Sequence, residues 1–374
     1  MNPQEQFCPN LDCPARGQIG KGNIGIHSQK DQRYICYECQ RTFTSSKGTL
    51  FYHLHHEPQL VLMVVALLVY GCPVQAIVQA LHLDERTVRS WWQRAGRQCE
   101  TLHGHLVGNS QLDLQQVQAD EIKVKTQRGS IWMAFAMMVP TRLWLGGAVS
   151  PNRDEDLARG LADQVRRIAL CRPLLLAVDG WWAYLGAFRR AFRSPLPLPP
   201  GVGGRSSFFS WPEVIIVQVI KRHTQQVWEI ERRVVQGCVK QVAALLACSQ
   251  GGGVINTAYI ERLNATFRQR LDSLTRHTRT LARLPETLTA GMWVLGCVYN
   301  FCDFHHSLRV KLWVGERCYH WVPRTPALAA GLTDHRWTLA ELMCFKVPLP
   351  RWKPRLGRGR PNNQLKRRMD RWCL

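Results

Sequence analysis

The sequence predicts a mixed α/β core that follows a small cysteine module and a pair of helices. Two close pairs of cysteines lie within the first 40 residues, and apolar residues at helical spacing follow up to residue 96. From residue 117 onward, short apolar runs predict strands separated by helices. We place the domains at 1–56 for the cysteine module, 57–100 for the helical pair, 115–310 for the α/β domain and 311–374 for a basic, partly disordered tail.

The charge of the chain points to a polyanionic partner. Its 374 residues include 49 Lys and Arg but only 27 Asp and Glu, which gives a formal net charge of +22. Nucleic acid is the first candidate, because each phosphate that a protein neutralises releases counterions.

Three features predict a cytoplasmic, nucleoid-associated protein of the prokaryotic type. Residues 1–6 are polar and do not resemble a secretion signal. The longest apolar run, 60–70, is too short to span a bilayer, so no membrane partner is expected. Fourteen cysteines predict a reducing compartment in which thiols can bind metal.

The cysteine module has the composition of a zinc ribbon. Its two pairs are separated by a basic segment, and four thiolates satisfy tetrahedral zinc. About fifty residues cannot form much of a core, so a metal would stabilise the fold. Free structural cysteines remain the alternative, because the first pair has four intervening residues rather than two. The predicted zinc ligands are Cys8, Cys13, Cys36 and Cys39.

The helical pair has the layout of a helix-turn-helix. A first helix is predicted over 58–70 and the helix-turn-helix pair over 74–81 and 85–96, with Asp84 as the N-cap of the last helix and a linker over 99–115. A purely structural three-helix bundle would give a similar pattern. The residues expected to face DNA are Arg86, Thr87, Arg89, Ser90 and Gln93.

The first strand of the core carries one candidate ligand. Over 118–125 the strand period of two places Asp120 on the face of the apolar residues and Glu121 on the face of the lysines. A buried carboxylate needs a partner or a metal, so we choose Asp120 over Glu121. Strands over 131–139 and 143–149 and a helix over 154–171 follow.

A second aspartate ends a buried strand. The continuous apolar run 174–178 predicts a central strand, and Asp179 follows it at the carboxyl end, where open α/β sheets bind ligands. A helix over 181–192, a loop over 194–211 and strands over 214–221 and 226–235 come next.

A polar stripe marks the helix after the glycine run 251–253. Asn256 or Thr257 is a suitable N-cap, and Glu261, Asn264 and Arg268 then lie on one face at i, i+3 and i+7. A carboxylate, an amide and a guanidinium together suit a metal ion and a phosphate. A solvated polar face is the alternative for an isolated helix.

The order of these elements is that of an RNase H-like fold: a strand with an aspartate, a three-strand meander, a helix, a strand ending in an aspartate and a late helix with a glutamate. Carboxylates from separate elements can hold two divalent cations about 3.5–4 Å apart for phosphodiester chemistry. Hard oxygen ligands suit magnesium or manganese.

Three segments resemble the DDE transposases of the insertion-sequence-one family: Asp120-Glu-Ile, Asp179-Gly-Trp and 256–264 followed by Arg268. Segments 270–279 and 299–309 are similar as well, so the likeness reaches residue 309. The resemblance implies that Asp120, Asp179 and Glu261 form a metal-binding triad. It also implies that Arg268 contacts DNA, and we add Asn264 on the same helix face.

The basic tail contains a weaker motif. Gly-Arg-Gly-Arg-Pro over 357–361 resembles an AT-hook, in which Arg358 and Arg360 would enter a narrow minor groove. A solvated basic tail with nonspecific phosphate contacts is the alternative.

Together these features predict a DNA transposase that binds terminal inverted repeats and catalyses metal-dependent strand cleavage and strand transfer. Its partners would be double-stranded DNA and further copies of the chain in a synaptic complex. Two alternatives remain: a non-catalytic DNA-binding regulator on the same scaffold, and a structure-specific nuclease.

Overall fold

The computed structural model divides the chain into two compact units. One joins Met1–Pro58 to Met343–Leu374, and the other is Gln59–Leu342. This grouping differs from the separate tail predicted to begin at residue 311. The structure describes residues 1–127, 129–170, 172–197, 204, 206–224, 227–249, 253–274, 284–315, 318–354 and 362–372. Arg358 and Arg360 of the predicted AT-hook lie outside these residues.

Strands and helices alternate through most of the chain. The strands are β1 Ile24–Ser28, β2 Arg33–Cys36, β3 Thr42–Thr44, β4 Gln116–Thr126, β5 Gly129–Met138, β6 Leu143–Ser150, β7 Leu174–Asp179, β8 Arg193–Pro195, β9 Phe208–Ser210, β10 Val214–Thr224, β11 Val227–Gln236, β12 Val310–Val314 and β13 Cys318–Val322. The helices are α1 Pro58–Val69, α2 Val74–Leu81, α3 Glu85–Leu106, α4 Glu155–Ile168, α5 Trp182–Ala191, α6 Val239–Cys248, α7 Ala258–Arg270, α8 Pro285–Cys297, α9 Pro326–Ala329, α10 Leu339–Cys344 and α11 Asn363–Trp372.

The smaller unit is built from both ends of the chain. Strands β1, β2 and β3 form an antiparallel sheet in that order. Trp372, at the end of α11, is only 2% exposed and belongs to the same buried cluster as Cys8, Cys36 and Phe43. Part of the predicted tail is thus core, because a module this small gains much of its apolar burial from one added tryptophan.

Helices α2 and α3 adopt the predicted helix–turn–helix connection. His82 follows α2 in the left-handed conformation, and Asp84 Oδ1 then accepts from the Arg86 backbone N–H (2.8 Å) as the N-cap of α3.

Helix α3 is longer than predicted and includes part of the expected linker. It continues to Leu106 because Cys99 and Leu102 are fully buried. It packs against α8, and Gly96 permits the close approach: a Cβ there would lie 2.6 Å from the Ala290 Cα.

The larger unit is centred on a mixed six-stranded sheet of order β11-β10-β7-β4-β5-β6. Strands β4, β5 and β6 form the predicted antiparallel meander. Strand β7 lies parallel to both β4 and β10, and β11 pairs antiparallel with β10 at the edge. The central position of β7 confirms the prediction from its continuous apolar run.

Helices cover both faces of this sheet. Successive residues of a strand point to opposite faces of the sheet. A Cβ at Gly146 would meet Gln164 of α4, whereas a Cβ at Gly147 would meet Met292 of α8, so these two helices lie on opposite faces. Phe267 of α7 packs on Phe135 of β5, with ring centroids 4.5 Å apart. The core therefore lies in two layers, one on each side of the sheet.

A hairpin of β12 and β13 follows α8, which continues as a π-helix over Val298–Cys302. Within the described residues, no helix combines the length and apolar character needed to cross a membrane.

Candidate functional site

Two aspartates lie next to each other where the parallel pairing of β4 and β7 ends: Asp179 is the last residue of β7, whereas β4 continues past Asp120 to Thr126. Ala119 of β4 pairs with Val178 of β7, so Asp120 and Asp179 come next in register. Adjacent strands lie about 4.8 Å apart, and carboxylate oxygens of the two aspartates lie within 4.8 Å of each other. The sequence predicted both residues as ligands, and the register brings them together.

Glu121 is a third carboxylate in the same group, and we call Asp120, Glu121 and Asp179 the acid cluster. Strand alternation had placed it on an exposed face with Lys123 and Lys125, and this expectation is wrong for Glu121. Its side chain is only 5% exposed, while the two lysines are exposed. Two side chains cover this face of β4 beside Glu121. Arg153 forms an ion pair with Glu121, and the buried Tyr184 interacts with Glu121 as well.

Arg153 is a functional-site residue that the sequence analysis missed. It pairs with Glu121 and lies 3.5 Å from Asp179 Oδ2. Its guanidinium lies 4.7 Å from the Trp181 ring and 5.1 Å from the Trp132 ring. A single arginine in the loop before α4 forms no motif, so no sequence signal marks it.

Burial keeps protons on these carboxyl groups. Desolvation, with the nearby charge of Asp179, raises the pKa of Asp120 to about 6 and that of Glu121 to about 7. Burial also raises the pKa of Asp179. Three carboxyls whose pKa values are raised by burial and mutual repulsion form a site that a cation would stabilise.

Helix α7 is attached to β4 by a side chain that the sequence analysis did not select. The first amides of a helix have no intrahelical partners. Gln118 Oε1 accepts from the backbone N–H groups of Tyr259 and Ile260 (3.0 Å each). Its Nε2 donates to the Asn256 carbonyl (2.7 Å). Gln118 precedes Asp120 by two residues, so the cap places α7 beside the acid cluster.

The two residues predicted as N-caps of α7, Asn256 and Thr257, make different contacts. Asn256 Oδ1 accepts from the Ala258 N–H (3.0 Å), as an N-cap does. The Thr257 hydroxyl instead donates to Glu261 Oε1 (2.7 Å).

Glu261 lies beside the carboxylate group but is not one of its three members. It pairs with Lys221 of β10, and its side chain is 46% exposed. Its charge contributes to the raised pKa of Asp120. Its predicted role as the third metal ligand remains a prediction.

Asn264 and Arg268, the other two polar residues predicted on this face of α7, also lie near the acid cluster. Asn264 is only 2% exposed, and its Nδ2 donates to Asp120 Oδ2 (2.8 Å). This contact differs from the DNA contact predicted for Asn264. Arg268 is half-buried, and its charge lowers the pKa of Asp120.

The acid cluster has the donor set of a site for a hard cation. All its donors are carboxylate oxygens, which Mg²⁺ and Mn²⁺ prefer, whereas soft metals prefer sulfur or imidazole. The three carboxylates could bind such an ion at the end of the sheet.

The four predicted zinc ligands converge in the smaller unit. Sγ distances are 3.6 Å between Cys8 and Cys39 and 3.9 Å between Cys13 and Cys36, and all four atoms lie within 4.8 Å of one another. Tetrahedral zinc with Zn–S bonds of about 2.3 Å requires sulfurs about 3.8 Å apart. The four thiols are free, so the site could bind a metal ion.

Hydrogen bonds among the thiols indicate how charge is distributed. Bonding from Cys13 lowers the pKa of Cys36, and the same bond raises the pKa of Cys13. Asn23 Nδ2 also donates to Cys36 Sγ (3.8 Å). One thiolate therefore forms readily, and a cation is needed to hold four together.

The helix-turn-helix residues present a partly exposed surface. Arg86, Arg89 and Ser90 are exposed, whereas Thr87 and Gln93 are half-buried. Arg89 Nε donates to Glu85 Oε1 (2.6 Å) one turn earlier. Contacts of these residues with DNA remain a prediction.

Comparisons with known proteins identify no family. No protein-family model matches the chain, and no curated protein is significantly similar to it.

Proposed function

We propose that this protein is a DDE-type DNA transposase. The observation that carries the proposal is the adjacent placement of Asp120 and Asp179 on the neighbouring parallel strands β4 and β7. The helix bearing Glu261 reaches the same point and contacts Asp120 through Asn264. Three carboxylates from separate elements are what metal-dependent phosphodiester chemistry requires.

The topology supports an RNase H-like core for this activity. A three-strand meander, a crossover helix, a parallel strand ending in Asp179 and a late helix with Glu261 follow one another in the order that the resemblance implies. The extra edge strand β11 leaves this order unchanged.

The reaction consists of two in-line displacements at phosphorus. Mg²⁺ or Mn²⁺ held by Asp120, Asp179 and Glu261 would activate the attacking oxygen and stabilise the leaving oxygen. Water first attacks the phosphodiester at the element end, and cleavage of the bond to the 3′ oxygen leaves a 3′-hydroxyl and a 5′-phosphate. The 3′-hydroxyl then attacks a target phosphodiester, whose own 3′ oxygen leaves. The enzyme forms no covalent intermediate.

Other residues of the chain hold these groups in place. Asn264 orients Asp120 by donating to its Oδ2. Thr257 and Lys221 restrain Glu261. Arg153 balances the charge of Glu121.

DNA recognition would use the other parts of the chain. The zinc-bound cysteine module and α3, through Arg86, Thr87, Arg89, Ser90 and Gln93, would bind terminal inverted repeats in the nucleoid. Synapsis of two element ends implies a homo-oligomer. The charge of +22 suits a protein that holds several duplexes.

A cleavage and joining assay tests the proposal. The substrate is the DNA that flanks the gene, with Mg²⁺ or Mn²⁺ as the metal. We expect end-specific nicks and joined products from the wild type. Asp120→Asn, Asp179→Asn and Glu261→Gln should each lower the cleavage rate by about 100-fold or more while DNA binding persists.

Asp156→Asn is the matched control. Asp156 is an exposed carboxylate that pairs with Arg159 outside the cluster, so its variant should cleave like the wild type. Wild-type cleavage by the Asp120→Asn, Asp179→Asn and Glu261→Gln variants would refute the triad. Site-specific binding without any metal-dependent cleavage would indicate a regulator, and cleavage that ignores the element ends would indicate a nuclease.

A further inference from the structure

The hairpin of β12 and β13 is exposed on both faces. All ten strand residues are exposed, although seven of them are aliphatic or aromatic. An isolated two-stranded hairpin is at best marginally stable in water. Contiguous exposed apolar surface usually marks a binding site. This hairpin therefore has the properties of a surface that a partner covers.

The strand register separates the hairpin into two different faces. Lys311 lies directly opposite Trp321. Trp313 lies directly opposite Tyr319 in the same register. Residues opposite each other share a face, as do residues two apart, so these four form one aromatic–cationic face. The other face carries Val310, Leu312, Val314, Cys318, His320 and Val322.

The rings on the aromatic–cationic face are accessible. Trp313, Tyr319 and Trp321 are 59%, 43% and 41% exposed. Trp313 and Tyr319 meet edge-on at 5.4 Å, and Tyr319 meets Trp321 edge-on at 5.8 Å. In each edge-on pair the edge of one ring contacts a face of the other, so part of the ring surface stays open to a planar group. Lys311 Nζ lies 4.6 Å from the Tyr319 ring centroid, and the Arg309 guanidinium lies 4.2 Å from that of Trp321.

The charge of the hairpin is complementary to phosphate. Among its described residues, 309–315 and 318–324, none is acidic, and Arg309, Lys311 and Arg324 are basic. Glu316 and Arg317, between the two strands in sequence, lie outside the described residues and have opposite charges.

We propose that the aromatic–cationic face binds single-stranded DNA. Unpaired bases stack on Trp313, Tyr319 and Trp321, and the adjacent phosphates contact Lys311 and Arg309. Stacking on aromatic side chains combined with cations along the backbone is the usual mode of single-strand binding. Duplex DNA fits less well, because its base faces already stack on one another.

A second copy of the chain fits this face less well than DNA does. Two copies would bring Arg309 and Lys311 of each together, with no described hairpin carboxylate to pair with them. The inference goes beyond the proposed catalytic function and does not depend on it, since it invokes neither the metal nor the acid cluster.

Fluorescence anisotropy of a labelled oligothymidylate, with the full zinc-loaded chain in buffer without added Mg²⁺ or Mn²⁺, tests the inference. We expect Trp313→Ala to weaken binding about tenfold and Trp313→Phe to restore most of it, because stacking depends on an aromatic ring. Leu312→Ala is the matched control: Leu312 is 55% exposed on the opposite face, and its variant should bind like the wild type. Circular dichroism verifies that each variant folds.

The outcomes are distinct. Wild-type affinity in Trp313→Ala, or an equal loss in Leu312→Ala, overturns the inference. A change of sedimentation in Trp313→Ala without a change in oligonucleotide binding identifies the hairpin as an interface between copies and also overturns it. Asp120→Asn should bind the oligonucleotide normally, so failure of the catalytic proposal would leave this result intact.

Discussion

Glu121 and Arg153 form an ion pair at the acid cluster, and neither was predicted from the sequence as a residue of the site. Alternation along β4 is a sound rule where one face meets solvent. It fails at Glu121 because Arg153, held between Trp132 and Trp181, covers the second face. At the residue scale, the burial of Glu121 on the second face of β4 adds it to Asp120 and Asp179 as a possible ligand of one cation.

Glu121→Gln tests the contribution of this additional carboxylate. We expect Mg²⁺ to bind about tenfold more weakly, because one of the three clustered oxygen donors is lost, while cleavage at saturating Mg²⁺ remains. Calorimetry and a Mg²⁺ titration of cleavage measure the two effects. Glu155→Gln is the control, since Glu155 pairs with Arg190 away from the cluster. Unchanged Mg²⁺ affinity in Glu121→Gln would remove Glu121 from the site.

The raised carboxyl pKa values predict a pH-dependent response to metal. The folded protein retains protons on Asp120 up to a pKa of about 6 and on Glu121 up to about 7, above their ordinary values. The folded state therefore binds more protons than the unfolded chain between about pH 4 and 7, and these groups lower the stability of the metal-free protein as pH rises through that window.

Mg²⁺ binds the ionised carboxylates and relieves their repulsion, so it should raise the melting temperature more at pH 8 than at pH 5.5. Thermal unfolding with and without Mg²⁺ measures the difference, and Asp179→Asn should abolish most of it. An equal Mg²⁺ effect at both pH values would contradict the argument.

At the element scale, the position of α7 depends on one buried amide. Gln118 caps two N–H groups of α7 and also donates to the Asn256 carbonyl. The helix carries Glu261 and Asn264, so the cap links the two halves of the candidate site.

Gln118→Leu should destabilise the larger unit by about 1–3 kcal/mol, because it leaves buried helix amides without acceptors. It should also lower the cleavage rate at saturating Mg²⁺, since α7 loses its attachment beside Asp120. Chemical denaturation and single-turnover cleavage measure both effects. Gln111→Leu is a surface control, because its amide contacts only the Arg167 carbonyl. A stable variant with normal turnover would show that α7 is positioned by other contacts.

At the scale of the whole molecule, the two chain ends form one unit. Trp372 is buried with the cysteines, and Gln18 Nε2 donates to the Trp372 carbonyl (2.9 Å). Arg16 Nε donates to the Pro350 carbonyl (2.9 Å) in the same unit. The basic C-terminal segment is thus attached to the candidate zinc module.

Trp372→Ala should destabilise the smaller unit by about 3–5 kcal/mol, the usual range for a buried tryptophan. Zinc should then be released faster to a chelator, because metal binding and folding are coupled. Release to a colorimetric chelator is the measurement. Arg367→Ala is the control, since Arg367 is an exposed residue of the same helix. Equal release rates in the two variants would argue against a structural role for the chain end.

The sequence by itself determined the local features of this protein: the cysteine pairs, the helix-turn-helix connection, the meander, the aspartate within its first strand and the aspartate at the end of the central strand. These depend on residue type and spacing over a few positions, where period, capping and turn chemistry act directly.

The tertiary structure alone decided the register that joins Asp120 to Asp179, the burial of Glu121, the Gln118 cap and the docking of Trp372. Such contacts join residues far apart in the chain, 141 positions for Gln118 and Tyr259 and 144 for Asp120 and Asn264. No local pattern specifies a partner at that distance, because packing of the whole core selects it.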